Sequence, residues 1–124
     1  MFQQDFLIRQ AQQLAAVLAQ VLFRKRTGEV EQAQSVLEAE IARVFGTDLE
    51  GVRGLDRRRL RELCTSGERL AGEVGVAVAA LLSEDEGAEG RRRALWLYEI
   101  ALEAGDAVPF DVHDRIDALR VSLA

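Results

Sequence analysis

The feature that most constrains the fold is the stretch 2–26, which contains neither proline nor glycine. Apolar residues recur along it at alternating steps of four and three, the spacing of one helix face; they are Leu7, Ala11, Leu14, Leu18 and Val21. Further apolar residues widen this arc to roughly half the circumference, more than one packing partner requires; they are Phe6, Ile8, Ala15, Val17 and Leu22. The pattern predicts a long helix over 2–26 that contacts neighbours on two sides.

The rest of the chain shows the same periodicity in shorter segments, separated by glycine, proline and acidic loops. Gly46 is placed to end the second helix, Thr47 and Glu50 have capping-box spacing, and Asp56 is an N-cap for the third helix. No segment is predicted as a strand. We expect an all-α single domain over 1–124, built from antiparallel helical hairpins with five to six helices. The later predicted helices cover 29–45, 56–66, 68–83, 91–104 and a final one from 111.

The composition excludes several classes of protein. The hydrophobic fraction of 48% with 30% charged residues is that of a globular chain. The net charge of −5 makes nucleic acid an unfavourable partner. Cys64 is the single cysteine, so no internal disulfide forms.

The cellular location of the chain is predicted from the absence of a secretory signal and of a membrane span. The N-terminus has no basic region before an apolar run, which a secretory signal requires. No run reaches the ~18 uninterrupted apolar residues of a membrane span. We therefore expect a cytoplasmic protein without membrane partners.

Two helices carry an alanine followed by a bulky residue four positions later. One has Ala33 with Leu37, and the other has Ala94 with Tyr98 and a further alanine at Ala101. This pattern resembles the second helix of a tetratricopeptide (TPR) repeat. The copies depart from it at Glu40 and Asp106, and they lie 61 residues apart (94 − 33) rather than the ~34 of a regular array. The resemblance implies two TPR-like hairpins separated by an insertion.

The whole chain also resembles a family of small bacterial helical proteins with a TPR-like fold. The residues that carry this likeness are Asp5, Arg9, Gly28, Ala33, Gly46 and Asp48, and it covers about residues 1–105. That family has no assigned activity, so the resemblance implies a fold and leaves the function open.

The side chains that carry catalysis are scarce. His113 is the single histidine, and it lies among aspartates at 111, 114 and 117. A metal site there lacks a second histidine or cysteine cluster. The alternative is that Asp111 caps the last helix while His113 is solvated. Cys64 lies on an apolar helix face, which favours a buried structural thiol over a reactive one. We therefore predict no enzyme, no metal and no cofactor.

Two arginine clusters are candidate anion sites, because arginine suits phosphate or carboxylate ligands. Their members are Arg57, Arg58, Arg59 and Arg61 in one, and Arg91, Arg92 and Arg93 in the other. An anion patch would use Arg57, Arg58, Arg61, Arg91 and Arg92. The alternative is two solvated helix starts balanced by neighbouring glutamates.

Surplus hydrophobicity on the fifth predicted helix suggests a surface that meets a partner. Trp96 and Ile100 extend an already broad apolar side, and Phe6 and Val17 do the same on the first helix. These four residues are the candidate interaction surface. Burial within the monomer, a homodimer contact and a foreign protein ligand remain open. The sequence favours a non-catalytic protein-interaction or scaffolding module, with a nucleic-acid or phospholigand binder as the alternative.

Overall fold

The computed structural model describes residues 2–66, 69–70, 72–85, 87–105 and 111–124, and the side chains at 2–7, 66, 69 and 70 lie outside this description. Within that part the chain is all-helical apart from one short strand pair. The described residues form seven helices where five to six were predicted, because the short segment Leu49–Arg53 after Gly46 is a helix of its own. The helices are α1 (Phe2–Arg26), α2 (Val30–Phe45), α3 (Leu49–Arg53), α4 (Arg57–Leu63), α5 (Gly72–Leu82), α6 (Ala88–Glu103) and α7 (Val112–Leu123).

The predicted bounds of α1 are confirmed, and a tight turn follows it. Gly28 has φ 85°, a left-handed conformation that glycine adopts without steric cost. The amide of Glu29 donates to the carbonyl of Arg24 at 2.8 Å, which closes the turn. The chain then enters α2, which packs against α1.

Side-chain and glycine caps delimit the next helices. Gly46 ends α2 in the left-handed conformation, as predicted. Asp56 caps α4 by accepting from the amide of Arg59 at 2.8 Å, also as predicted. The capping box at Thr47 and Glu50 was wrong: Asp48 is the N-cap of α3 and accepts from the amide of Gly51 at 2.7 Å.

The segment after α4 corrects the predicted helix 68–83. Thr65–Ser66 pairs antiparallel with Arg69–Leu70 in a two-residue ladder, so this backbone bonds between strands and not along a helix. Helix α5 consequently begins at Gly72. A second correction concerns α6, which begins at Ala88 and not at 91, because Glu89 pairs with Arg92 and Arg93 one turn ahead.

Helix α5 is the centre of the packing. It lies between α1 and α6, and α6 in turn packs against α4 and α7. Gly75 of α5 faces α6, and an added Cβ there would lie 3.5 Å from the Leu97 carbonyl oxygen. The core contains Leu14, Leu37, Ile41, Leu60, Val78, Leu81, Leu97 and Tyr98.

Candidate protein-docking groove

A groove of about 420 Å³ runs over α5, between α1 and α7. We call it the α1–α5–α7 groove. Its lining is mainly apolar, and four of its ten residues are alanines, whose small side chains leave the space open. The lining residues are Ala11, Ala15, Leu18, Glu73, Val76, Ala77, Ala80, Asp111, Val112 and Arg115.

The α1 wall of the groove lies beside the core-facing side of the helix. Leu14 and Val21 are fully buried and fix which side of α1 faces inward. Ala11, Ala15 and Leu18 lie beside these two buried residues on the helix surface and form the wall of the groove. The same row of apolar residues continues beyond the groove with Ile8 and Leu22, which are 44% and 37% exposed. The predicted contact of α1 with neighbours on two sides is confirmed, because α1 packs against both α2 and α5, while Ile8 and Leu22 remain partly exposed.

The floor of the groove is the outward face of α5. Val74 and Val78 point into the core, whereas Val76 and Ala77 are half-buried and face the groove. Apolar side chains in this position would be better buried beneath another apolar surface.

The α7 wall carries the polar rim. Arg115 donates from Nε to Asp111 at 2.9 Å and from Nη1 to the Tyr98 hydroxyl at 3.2 Å. These two hydrogen bonds raise the pKa of Arg115 above its usual value. Asp111 was expected to cap α7, but its side chain makes no capping bond because it binds Arg115 instead. Two charged side chains of the polar rim, Arg115 and Asp111, are therefore paired with each other.

The four residues predicted to form the interaction surface do not come together as one. Ile100 is 1% exposed and belongs to the core, so in this conformation it contacts no partner. Trp96 and Val17 are half-buried and pack against the core. The Arg93 guanidinium lies 4.7 Å from the centroid of the Trp96 ring and covers part of it. Phe6 belongs to α1, but its side chain lies outside the described residues.

The arginine clusters are largely engaged with glutamates. Arg57 donates to Glu99 at 2.8 Å and to Glu103 at 3.1 Å, and Arg61 also binds Glu103. Arg92 pairs with Glu89 on its own helix. Arg91 donates to the Ser122 hydroxyl and the Gly87 carbonyl.

The two clusters also stay apart. Arg57 and Arg61 contact the C-terminal half of α6, while Arg91 and Arg92 lie in its first turns. From Arg92 to Glu103 the helix rises about 16 Å. The five arginines predicted as one anion patch therefore do not converge.

Arg58 and Arg59 differ from their neighbours. Both are exposed, and within the described part of the chain neither forms an ion pair. They line an open depression of about 430 Å³ together with apolar side chains and Glu62. Among the described residues, this depression combines unpaired guanidinium groups with open space, which suits an anionic ligand.

Cys64 and His113 were the side chains considered for catalysis or metal binding. Cys64 is buried, and desolvation raises its pKa to about 12, which keeps the thiol protonated and unreactive at neutral pH. His113 is exposed. Among the residues that the structure describes, no cluster of three or more histidine, cysteine or acidic side chains could hold a metal ion.

The signal that could have located the groove from sequence is a run without charge. Residues 10–23 contain no acidic or basic side chain, although 30% of the chain is charged. A fully buried helix would explain such a run, but α1 is exposed along much of it.

Comparison with known proteins finds no matching family model, no matching curated protein and no matching solved structure. Among the described residues, no helix has the length and apolar character needed to cross a membrane.

Proposed function

We propose that this chain is a non-catalytic protein-interaction module whose α1–α5–α7 groove docks an amphipathic helix of a protein. The observation that carries the proposal is the open apolar channel between three helices, floored by Val76 and Ala77. An amphipathic helix binds such a channel by inserting bulky side chains at steps of three and four. The alanines at 11 and 15 make room for them.

The order of the helices supports a TPR-like arrangement as part of this proposal. α1 and α5 are the first helices of two packed pairs, α1 with α2 and α5 with α6, which α3 and α4 separate in the chain, and α7 follows the second pair. The groove is lined by α1, α5 and α7. A partner helix would thus contact the first member of each pair.

Site-specific photo-crosslinking in cells that express the protein tests this function. A benzophenone amino acid at position 77 should give a discrete protein adduct. The matched control carries it at position 39, an exposed alanine of α2 away from the groove. The adduct should disappear when Ala15→Glu is added, because a carboxylate then enters the apolar channel. No adduct at 77, or the same adduct at both positions, would refute the proposal.

The unpaired Arg58 and Arg59 support a second candidate, binding of an anionic ligand at their depression. Glu62 within the depression and the net charge of −5 oppose it. Retention on heparin at low salt that is lost in an Arg58→Gln/Arg59→Gln variant would favour this candidate. If the wild type passes through the heparin column without retention, nucleic acid and other polyanions are excluded as ligands.

A further inference from the structure

The four arginines of α4 divide between two sides of the helix. Arg57 and Arg61 face α6 and bind glutamates of that helix. Successive helical residues turn by about 100°, so Arg58 and Arg59 lie on the side that faces away from α6. Both are exposed. The helix therefore presents two arginines to its neighbour and two to the solvent.

Arg58 and Arg59 also differ from the other described arginines that follow α1. Each of those donates from its guanidinium to a carboxylate, hydroxyl or carbonyl oxygen, and Arg58 and Arg59 do not. A shortage of carboxylates is not the reason, because the chain has 21 acidic residues against 16 lysines and arginines. Glu62 even lies at the spacing of a helical ion pair, yet it pairs with neither arginine in the described part of the chain. The guanidinium donors are therefore open to a ligand.

The open depression beside these two arginines has an apolar half. It measures about 430 Å³, and we call it the α4 depression. Leu55 and Leu63 line it, and Leu63 is 40% exposed although the neighbouring Cys64 is buried. An exposed leucine gains free energy when an apolar group of a ligand covers it. The α4 depression thus joins apolar surface to unpaired cations.

These two kinds of surface define the chemistry of the ligand. A guanidinium binds two oxygens of a carboxylate or phosphate at once through its planar N–H donors. A phosphate group carries nearly two charges, so Glu62 would repel it more strongly than a carboxylate. The apolar half requires an apolar group close to the anion. A peptide segment in which an aspartate or glutamate stands beside an apolar residue supplies both.

Single-stranded nucleic acid fits the α4 depression less well. It binds through its phosphates and through bases stacked on exposed aromatic side chains. Phe45 is the aromatic residue in the lining, and it is 7% exposed. A long polyanion also meets the repulsion of a chain of net charge −5 along its whole length. A short acidic peptide meets less of it, because charges more than about 8 Å away are largely screened at physiological salt.

We propose that the α4 depression binds an acidic peptide segment of a protein, with a carboxylate on Arg58 and Arg59 and a neighbouring apolar side chain against Leu55 and Leu63. This inference rests on the second candidate function, binding of an anionic ligand, and names the class of ligand. The α4 depression shares no lining residue with the α1–α5–α7 groove, so the two sites are tested separately.

Selection from a phage-displayed library of random dodecapeptides tests the ligand class. The full chain is the bait, and the selected peptides are screened again on the Arg58→Gln/Arg59→Gln variant. We expect peptides that bind the wild type and not the variant, and in these peptides acidic residues next to an apolar residue should be enriched. If no arginine-dependent peptide is found, or if such peptides lack acidic residues, the inference is overturned.

Fluorescence anisotropy of the selected peptides tests whether the site or the net charge sets the affinity. Arg58→Gln/Arg59→Gln should weaken binding by about tenfold or more, because hydrogen bonds to a charged group are lost. The matched control Arg26→Gln/Arg120→Gln removes the same charge from exposed positions outside the α4 depression and should weaken binding less than about twofold. Circular dichroism should show the same helicity for both variants. Equal weakening by the two variants overturns the inference.

Glu62 provides a test in the opposite direction. It lies in the α4 depression and repels a bound carboxylate, so Glu62→Gln should strengthen binding of the same peptides about threefold. The control Glu31→Gln, exposed on α2, should leave the affinity unchanged. Weaker or unchanged binding by Glu62→Gln would show that the peptide carboxylate does not lie in the α4 depression.

A heparin column and a thymidine oligonucleotide separate failure of this inference from failure of the candidate function beneath it. If these polyanions bind through Arg58 and Arg59 and no acidic peptide does, the inference is overturned and the anionic-ligand candidate stands. If neither polyanions nor acidic peptides bind, both fail. The docking function of the α1–α5–α7 groove is decided independently by crosslinking from position 77.

Discussion

Arg53 binds Asp85 through two guanidinium nitrogens: Nε donates to Oδ2 at 3.0 Å and Nη2 to Oδ1 at 2.8 Å. The pair joins α3 to the connection between α5 and α6. Asp85 is 4% exposed, and its hydrogen bond raises the pKa of Arg53 above the usual value. The contact holds the connection against α3 and so helps to place α6 beside α5.

Removing this carboxylate should destabilise the protein more than removing a surface charge. We expect Asp85→Ala to lower the free energy of unfolding by about 2 kcal/mol, because the lost hydrogen bonds are charge-assisted and partly buried. Urea unfolding measures the change. The control Arg120→Gln breaks an ion pair at a 58% exposed side chain and should cost less than about 1 kcal/mol. Equal losses would contradict this role of Asp85.

Two glycine-to-alanine changes should have opposite effects. A Cβ on Gly90 would lie 2.8 Å from both the Cβ and the Cγ of Asp85, so Gly90→Ala should destabilise by roughly 1–3 kcal/mol. At Gly75 the nearest atom is 3.5 Å away, so Gly75→Ala should be neutral or stabilise by up to about 1 kcal/mol. Thermal unfolding measures both. Adding Asp85→Ala to Gly90→Ala should reduce the cost of the glycine change, and a strictly additive pair would contradict the predicted clash.

Cys64 should react only when the protein unfolds. Cys64 is 2% exposed, and burial raises the pKa of its thiol to about 12, so almost no thiolate forms at neutral pH. A disulfide exchange reagent should modify it slowly in buffer and rapidly in denaturant. Ala39→Cys, exposed on α2, should react rapidly in the folded protein. Rapid modification of Cys64 in native buffer would contradict its burial.

The contacts of Glu103 should make a small part of the stability depend on pH. Hydrogen bonds from Arg61 and Arg57 lower the pKa of Glu103 below its usual 4.5. Their contribution is therefore complete above pH 4.5 and is lost as the pH falls through the lowered folded-state pKa. Because Glu103 is 44% exposed, Glu103→Gln should cost less than about 1 kcal/mol at pH 7. The wild type and the variant should converge in acid, and a constant difference would contradict this account.

Local patterns predicted much of the fold. The period of apolar residues located α1 and its end at Arg26, and the caps at Gly46 and Asp56 were read from single residues. These features depend on neighbours within one turn, so the sequence displays them directly. The backbone pairing of 65–66 with 69–70 was missed because it has no periodic pattern.

The arrangement of the candidate site depends on contacts between segments that are distant in the chain, and local sequence patterns do not reveal such contacts. Ile100 looked exposed because its helix carried more apolar residues than one neighbour could cover, yet it is part of the core. Arg57 looked free because its partner Glu99 lies 42 residues away in the chain. The groove exists only because α1, α5 and α7 are adjacent in space.

Photo-crosslinking from position 77 is the most direct test of the central claim, that the α1–α5–α7 groove docks a helix of a protein. The account predicts a discrete protein adduct at position 77 that is absent at position 39, an exposed residue of α2 outside the groove, and that is lost when Ala15→Glu is added. No adduct at position 77, or the same adduct at position 39, would contradict it.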